Sequence, residues 1–274
     1  MSTGEVVLVN AWSGAHNSEF DEEMHSGNDA SEAAYIPNPL SQKMQILDIH
    51  SSPHCRYGDF FTTYIDGTVA LHTLQGSIVR TFNAHHAASR SCRKVLYLEN
   101  LPKDLVATAG WDNRVYLYDM DVRKPIHCID RHTSGVCALT TNLPTLHAVD
   151  VQPMPCRHQP LLISGGWDRE ICVWDLRSPQ HPLHTLHGHH RCVTCLAVLP
   201  NGNLLSAARD RSLRIWDLDT AVCVQKLPTN EFVSSICVLP NGTFITGSRQ
   251  CLQRVIVASS FVGSIECWDS LTVP

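Results

Sequence analysis

The sequence predicts an all-β fold built from one repeated unit, and two observations carry that prediction. First, five segments align with one another, and each intact copy is a short apolar strand, a tight turn containing Asp and a second strand that alternates apolar and polar positions. Second, the turn residues Asp66, Asp112, Asp168 and Asp210 lie 46, 56 and 42 residues apart. Each interval is long enough for one four-stranded antiparallel sheet.

The second strand of each copy gives the register. In each copy two apolar residues fall two positions apart and therefore face the same side of the sheet. These pairs are Val69 and Leu71, Val115 and Leu117, Ile171 and Val173, Leu213 and Ile215, and Ile265 and Cys267. Further strands are predicted at Met44–His50, Cys192–Leu199 and Ser235–Leu239, the last two being followed by Pro-Asn-Gly turns.

Trp-Asp pairs end the second strand of several copies, at Trp174-Asp175, Trp216-Asp217 and Trp268-Asp269, and Gly188-His189 opens one copy. In register with the turn aspartates, these pairs resemble the WD-repeat family over residues 44–274. The resemblance implies a β-propeller domain of about five recognisable WD-type blades. Since the family most often has seven blades, the sequence leaves open a ring of five and an incomplete seven-bladed ring.

The resemblance also implies one hydrogen-bonded chain per blade, formed by a His, a Ser or Thr, the turn Asp and an aromatic residue. The implied sets are His85, Thr108, Asp112 and Tyr118 in blade two; His132, Ser164, Asp168 and Trp174 in blade three; and His189, Ser206, Asp210 and Trp216 in blade four. We interpret them as structural, because they recur once per blade and the sequence lacks a G-x-S-x-G elbow. We therefore expect no catalytic residue and no enzyme activity.

The repeat fails at both ends of the chain. Blade one has His72-Thr73 where Trp-Asp is expected, and residues 250–262 interrupt blade five. That interruption is a loop insertion, a second-strand replacement that uses Val255–Ser259, or retained intron sequence. The sequence then ends before blade five has an outer strand, and residues 5–12 are a candidate closing strand. Within residues 1–43, an acidic and flexible linker is expected to follow that strand.

The residue before each turn Asp is expected on the face around the central channel of a propeller. Those positions hold Trp111, Trp167 and Arg209, with Arg249 at the corresponding place in blade five. Exposed Trp and Arg frequently anchor protein interfaces, so this face is a candidate partner-binding surface. The alternative is that both indoles only pack against neighbouring loops.

A second candidate interaction element is the segment Leu162–Arg177. It resembles the sixteen-residue box of WD proteins that dock on the adaptor of cullin-4 ubiquitin ligases. The matching positions include Asp168, Trp174, Asp175 and Arg177, of which Arg177 is the informative one, because any well-formed blade needs the others.

Composition narrows the function classes further. A net charge of -5 argues against a nucleic-acid surface, and no apolar run approaches the ~20 residues of a membrane span. The N-terminus lacks a signal core, so we expect reduced thiols and a cytoplasmic or nuclear location. Cys192-x-x-Cys195 lacks a second pair, and no phosphate loop is present, so we expect no metal and no cofactor. The prediction is an interaction scaffold for proteins or peptides, with a ubiquitin-ligase substrate receptor as the alternative.

Overall fold

The computed structural model contains five four-stranded antiparallel sheets and, in the part of the chain that it describes, no helix. The described residues are 46–52, 55–85, 91–98, 101, 103–122, 124–143, 159–239 and 242–248, together with the backbone of 255–261 and 264–268. They all belong to one compact unit, Leu40–Pro274. The predicted closing strand at 5–12, the predicted linker within 1–43 and Arg249 lie outside the described residues.

Each sheet is one blade, and in each the strands are ordered as in the sequence. Blade one has β1 (Ile46–Ser51), β2 (Phe60–Tyr64), β3 (Thr68–His72) and β4 (Ile78–Asn83). Blade two has β5 (Cys92–Leu98), β6 (Leu105–Gly110), β7 (Val115–Asp119) and β8 (Pro125–Ile129). Blade three has β9 (Val136–Thr141), β10 (Leu161–Gly166), β11 (Ile171–Asp175) and β12 (His184–Leu186). Blade four has β13 (Val193–Val198), β14 (Leu204–Ala208), β15 (Ser212–Asp217) and β16 (Val222–Pro228). Blade five has β17 (Val233–Val238), β18 (Thr243–Ser248), β19 (Val255–Phe261) and β20 (Ser264–Trp268).

The hydrophobic core lies between consecutive blades. Ile171 and Val173 are buried in one cluster with Val193 of blade four, whereas Trp174 on the same strand is buried in a cluster with Leu117 of blade two. This confirms the predicted alternation, in which the paired apolar residues face one side and the aromatic residue faces the other. The strand β11 therefore contributes to two cores, one on each side of its sheet.

The first strand of each blade is innermost. Packing runs from β1 to β5, from β5 to β9, from β9 to β13 and from β13 to β17. Among the described strands, no packing of that extent joins the fifth blade to the first. The sheets therefore form a consecutive row of WD-type propeller blades, which confirms the predicted fold class, and the ring is not closed by the described strands.

Blade five differs from its prediction. Residues 255–261 of the interrupting segment are not a loop, because Val255–Phe261 pairs with β18 and becomes the third strand of the sheet. The hairpin segment that ends at Trp268 pairs with this new strand and becomes the outer strand. Trp268 was expected in the second strand of the repeated hairpin, which is the third strand of a blade, but it lies in the outer strand. The expectation that blade five has no outer strand of its own was therefore also wrong. The physical reason is that residues 255–261 are closer in sequence to β18 than the hairpin segment is, and they form the backbone hydrogen bonds along its free edge.

Among the residues that the structure describes, no helix has the length and apolar character needed to cross a membrane.

Candidate functional site

Blade four contains a continuous hydrogen-bonded chain of four side chains. Trp216 Nε1 donates to Ser206 Oγ at 2.8 Å, and Ser206 Oγ lies 2.8 Å from His189 Nε2. His189 Nδ1 lies 3.0 Å from Asp210 Oδ2, and the other oxygen of this carboxylate, Oδ1, accepts a hydrogen bond from the Ser212 amide. The chain thus links the loop that enters the blade, both middle strands and the turn between them.

Blade three repeats this arrangement with close to the same distances. Trp174 Nε1 donates to Ser164 Oγ at 2.9 Å, Ser164 Oγ lies 2.8 Å from His132 Nε2, and His132 Nδ1 lies 2.8 Å from Asp168 Oδ2. Both imidazoles are buried. Gly166 makes room for the blade-three ring, because a Cβ there would lie 2.8 Å from His132 Nδ1 and 2.6 Å from Asp168 Oδ1. The two sets are internally satisfied, so no polar group of either is available to a substrate.

The electrostatics of the two chains differ at the histidine. Burial lowers the pKa of His189 and outweighs the hydrogen bond with Asp210, and the nearby charge of Arg214 adds to this lowering, so the imidazole is neutral at pH 7. Burial also acts to lower the pKa of His132, but its interactions with Asp168 and Cys172 together outweigh burial and raise that pKa to about 9. Asp168 and Asp210 are buried, which favours the neutral acid, yet the hydrogen bonds that they accept hold both carboxyl pKa values below the usual range.

Blade two does not form the four-membered chain that was expected there. His85 Nδ1 lies 2.8 Å from Asp112 Oδ1, but the buried His85 Nε2 and Thr108 Oγ1 have no protein partner. Tyr118, which occupies the Trp position, instead donates its hydroxyl to the Ala84 carbonyl at 3.0 Å. The reason is geometric: a phenol carries its donor at the far end of the ring, so the hydroxyl passes Thr108 and reaches the entry loop.

Blade one replaces the indole with an imidazole. His72 stands at the Trp position, and its Nε2 lies 2.8 Å from Thr62 Oγ1. The His72 ring stacks on Phe60 with centroids 4.9 Å apart. The Asp66 carboxylate bonds within the turn itself, where it accepts hydrogen bonds from the amide and the hydroxyl of Thr68.

The predicted partner-binding residues are placed by one backbone hydrogen bond that recurs in three blades. The amides of Trp111, Trp167 and Arg209 donate to the carbonyls of Ser91, Gly135 and Cys192, at 3.2, 2.8 and 3.0 Å. Each acceptor lies just before or at the start of an inner strand. All three side chains therefore lie at the same end of the blades, beside the innermost strands.

These side chains form a stacked row across the blades. The rings of Trp111 and Trp167 pack with centroids 4.8 Å apart, and the Arg209 guanidinium lies 5.0 Å from the Trp167 centroid. Arg209 also lies 5.6 Å from the ring of Phe232, and Arg93 lies 5.8 Å from the ring of Trp111. We call these five residues, Arg93, Trp111, Trp167, Arg209 and Phe232, the Arg-Trp row.

The row changes the interpretation of its two indoles. Trp111 is half-buried and lies against blade three, where a Cβ on Gly135 would be 2.5 Å from its ring. Trp167 is 38% exposed, but one neighbour on each side contacts its ring. The indoles thus pack against their neighbours and also remain at the surface. The sequence did not indicate Arg93 or Phe232, because their membership depends on contacts between blades that no local pattern records.

The box that ends at Arg177 has its Arg at the opposite end of blade three, after the third strand. Arg177 Nε donates to Asp175 Oδ1 at 2.9 Å, and Nη2 of the same guanidinium donates to Asp175 Oδ2. The Arg177 side chain is 55% exposed. Asp168 and Trp174 of the same box are held in the blade-three chain described above.

Comparison with known proteins agrees with this architecture. The family described as WD domain, G-beta repeat matches residues 123–175 and 180–217. Striatin-4 of Homo sapiens is 37% identical over 171 residues, which is 60% of this chain and 21% of that protein. Small ribosomal subunit protein RACK1y of Oryza sativa subsp. japonica is 37% identical over 112 residues, which is 40% of this chain and 29% of that protein.

A third relative, mitochondrial division protein 1 of Vanderwaltozyma polyspora, is 26% identical over 226 residues, which is 69% of this chain and 32% of that protein. The chain thus spans between a fifth and a third of the length of the curated relatives that it matches.

Proposed function

Because the chain belongs to the WD-repeat family, we propose that it is a non-enzymatic scaffold that binds other proteins or peptides through the Arg-Trp row. The observation that carries this proposal is the row itself, in which side chains from consecutive blades meet at one surface. Tryptophan and arginine are the residue types most enriched at the energetic centres of protein interfaces. We place this scaffold in the cytoplasm or nucleus.

The polar residues support a scaffold rather than an enzyme. The Ser, His and Asp side chains that resemble a hydrolase set are buried, and each is bonded within its own blade. In blades three and four the serine hydroxyl already contacts both an imidazole and an indole. A nucleophile needs an approach path for the substrate, which these buried hydroxyls do not offer.

Affinity capture with two surface variants tests the proposal. Wild-type protein, Trp167→Ala and Arg209→Ala are used as baits, and retained proteins are quantified by mass spectrometry. Lys226→Ala is the matched control, because Lys226 is an exposed cation on the outer strand β16, remote from the row in its blade. We expect both row variants to lose partners that Lys226→Ala retains. Equal retention by all four baits would contradict the proposal.

A second candidate function is that of a substrate receptor of a cullin-4-type ubiquitin ligase. The observation that favours it is the exposed and oriented guanidinium of Arg177, which Asp175 holds by two of its nitrogens while the third stays available. The test is co-purification of the cullin adaptor with wild type, Arg177→Ala and Lys226→Ala. Loss of the adaptor only in Arg177→Ala supports this function, and unchanged recovery shows that the box is incidental.

A further inference from the structure

We propose that the partner of the Arg-Trp row is an acidic peptide segment whose side-chain carboxylates pair with the guanidinium groups of Arg93 and Arg209. This inference rests on the proposed function and adds the chemistry of the partner to it.

Arg93 and Arg209 have no carboxylate partner among the residues that the structure describes. Two other arginines at turns and strand ends do pair with carboxylates: Arg114 lies 3.0 Å from Asp130, and Arg131 lies 3.2 Å from Glu170. Arg93 is partly buried, so its unpaired guanidinium loses hydration without a compensating charge, whereas Arg209 is exposed. The row therefore carries positive charge that a partner can neutralise.

The carboxylates nearest in the sequence are already engaged. Asp112, Asp168 and Asp210 follow the row residues directly in the turns, but each is held by a histidine and by turn amides. Glu231, which precedes Phe232, accepts a hydrogen bond from Ser248. A carboxylate for the row must therefore come from outside this set.

The aromatic rings orient the two guanidinium groups. The Arg209 guanidinium lies 5.0 Å from the Trp167 centroid and 5.6 Å from the Phe232 centroid, and that of Arg93 lies 5.8 Å from the Trp111 centroid, so aromatic rings flank both cations. A guanidinium beside an aromatic ring can still donate two parallel hydrogen bonds to a carboxylate. The tryptophans thus act as positioning residues, and the arginines make the contact that recognises charge.

Both arginines act on one point of blade three. Burial raises the pKa of the Cys137 thiol to about 11, and Arg93 and Arg209 both oppose that rise. Arg93 comes from blade two and Arg209 from blade four, so the two positive groups flank the start of β9 from opposite sides. A short extended peptide that lies across this point can reach both arginines.

A long polyanion fits the surface less well than a peptide does. The net charge of the chain is -5, so the positive potential is confined to the row and its surroundings. A nucleic acid needs a continuous phosphate-binding track, whereas a few carboxylates need only two anchored guanidinium groups.

Fluorescence anisotropy with synthetic peptides tests this inference. The probe is a fluorescein-labelled decapeptide of alternating Glu and Gly, and the comparison peptides replace Glu with Gln, Lys or phosphoserine. We expect the full chain to bind the Glu peptide at least about tenfold more tightly than the Gln peptide, with weaker binding at higher salt. Arg93→Gln combined with Arg209→Gln should reduce that affinity by about tenfold or more, and Lys226→Gln should leave it unchanged.

Arg209→Lys separates recognition from folding, because it keeps the charge but loses the planar fork. An intermediate affinity with an unchanged melting temperature supports the proposed contact. Equal binding of the Glu and Gln peptides, equal binding by wild type and the double variant, or selective binding of the phosphoserine peptide would each overturn the inference. If the Glu peptide fails while captured partners still depend on Trp167, the acidic assignment falls and the scaffold function stands.

Discussion

Blades three and four contrast with blade two, although all three place a histidine beside the turn Asp. In blades three and four, serine and tryptophan complete the polar chain, so both ring nitrogens of the histidine have a protein partner. In blade two, His85 Nε2 and the Thr108 hydroxyl are buried and have no protein hydrogen-bond partner. The contrast teaches that the indole N–H is what joins the chain, because it reaches the strand hydroxyl and the phenol does not.

The aromatic residue provides the largest expected effect. Trp174→Phe removes the donor to Ser164 and leaves space in the core between blades two and three, so we expect it to lower the free energy of unfolding by about 2–4 kcal/mol. Tyr118→Phe loses only the bond to the Ala84 carbonyl and should cost about 1 kcal/mol. Urea unfolding measures both. Equal losses would remove the distinction between the blades.

The next effect concerns the hydroxyl of the second strand. We expect its removal to change the free energy of unfolding in opposite directions in blades two and four. Thr108→Val replaces an unpartnered buried hydroxyl with a methyl group of the same shape, so we expect stability to stay unchanged or to rise by up to about 1 kcal/mol. Ser206→Ala removes the centre of a complete chain and should cost about 1–3 kcal/mol. A destabilising Thr108→Val in urea unfolding would show that blade two also uses its hydroxyl.

The sequence predicted the parts of the molecule that local alternation determines. The hairpins of the first four blades follow from apolar residues two positions apart, and the polar chains of blades three and four follow from the family resemblance. The strand order of blade five could not be predicted, because the sequence patterns of Val255–Phe261 and Ser264–Trp268 are both typical of strands. Only the pairing with β18 decides which of them is the third strand and which is the outer one. Of the Arg-Trp row, the sequence indicated Trp111, Trp167 and Arg209. It did not indicate Arg93 and Phe232, because they join the row through contacts between blades.

The last comparison concerns the two complete chains, which differ in charge. The pKa of His132 is raised, so its contribution to stability is full below the unfolded value of 6.5 and is lost as pH rises through about 9. The pKa of His189 is lowered, so its contribution is present above 6.5 and is lost as pH falls below that value.

Nuclear magnetic resonance titration of the imidazole nitrogens can separate the two histidines, with His132→Gln and His189→Gln assigning the signals. At pH 7 we expect His132 to be protonated on both nitrogens, so that Ser164 accepts from it and from Trp174. His189 should be neutral, with its proton on Nδ1 toward Asp210 and with Nε2 accepting from Ser206. If both rings titrate together, the two chains are electrostatically equivalent.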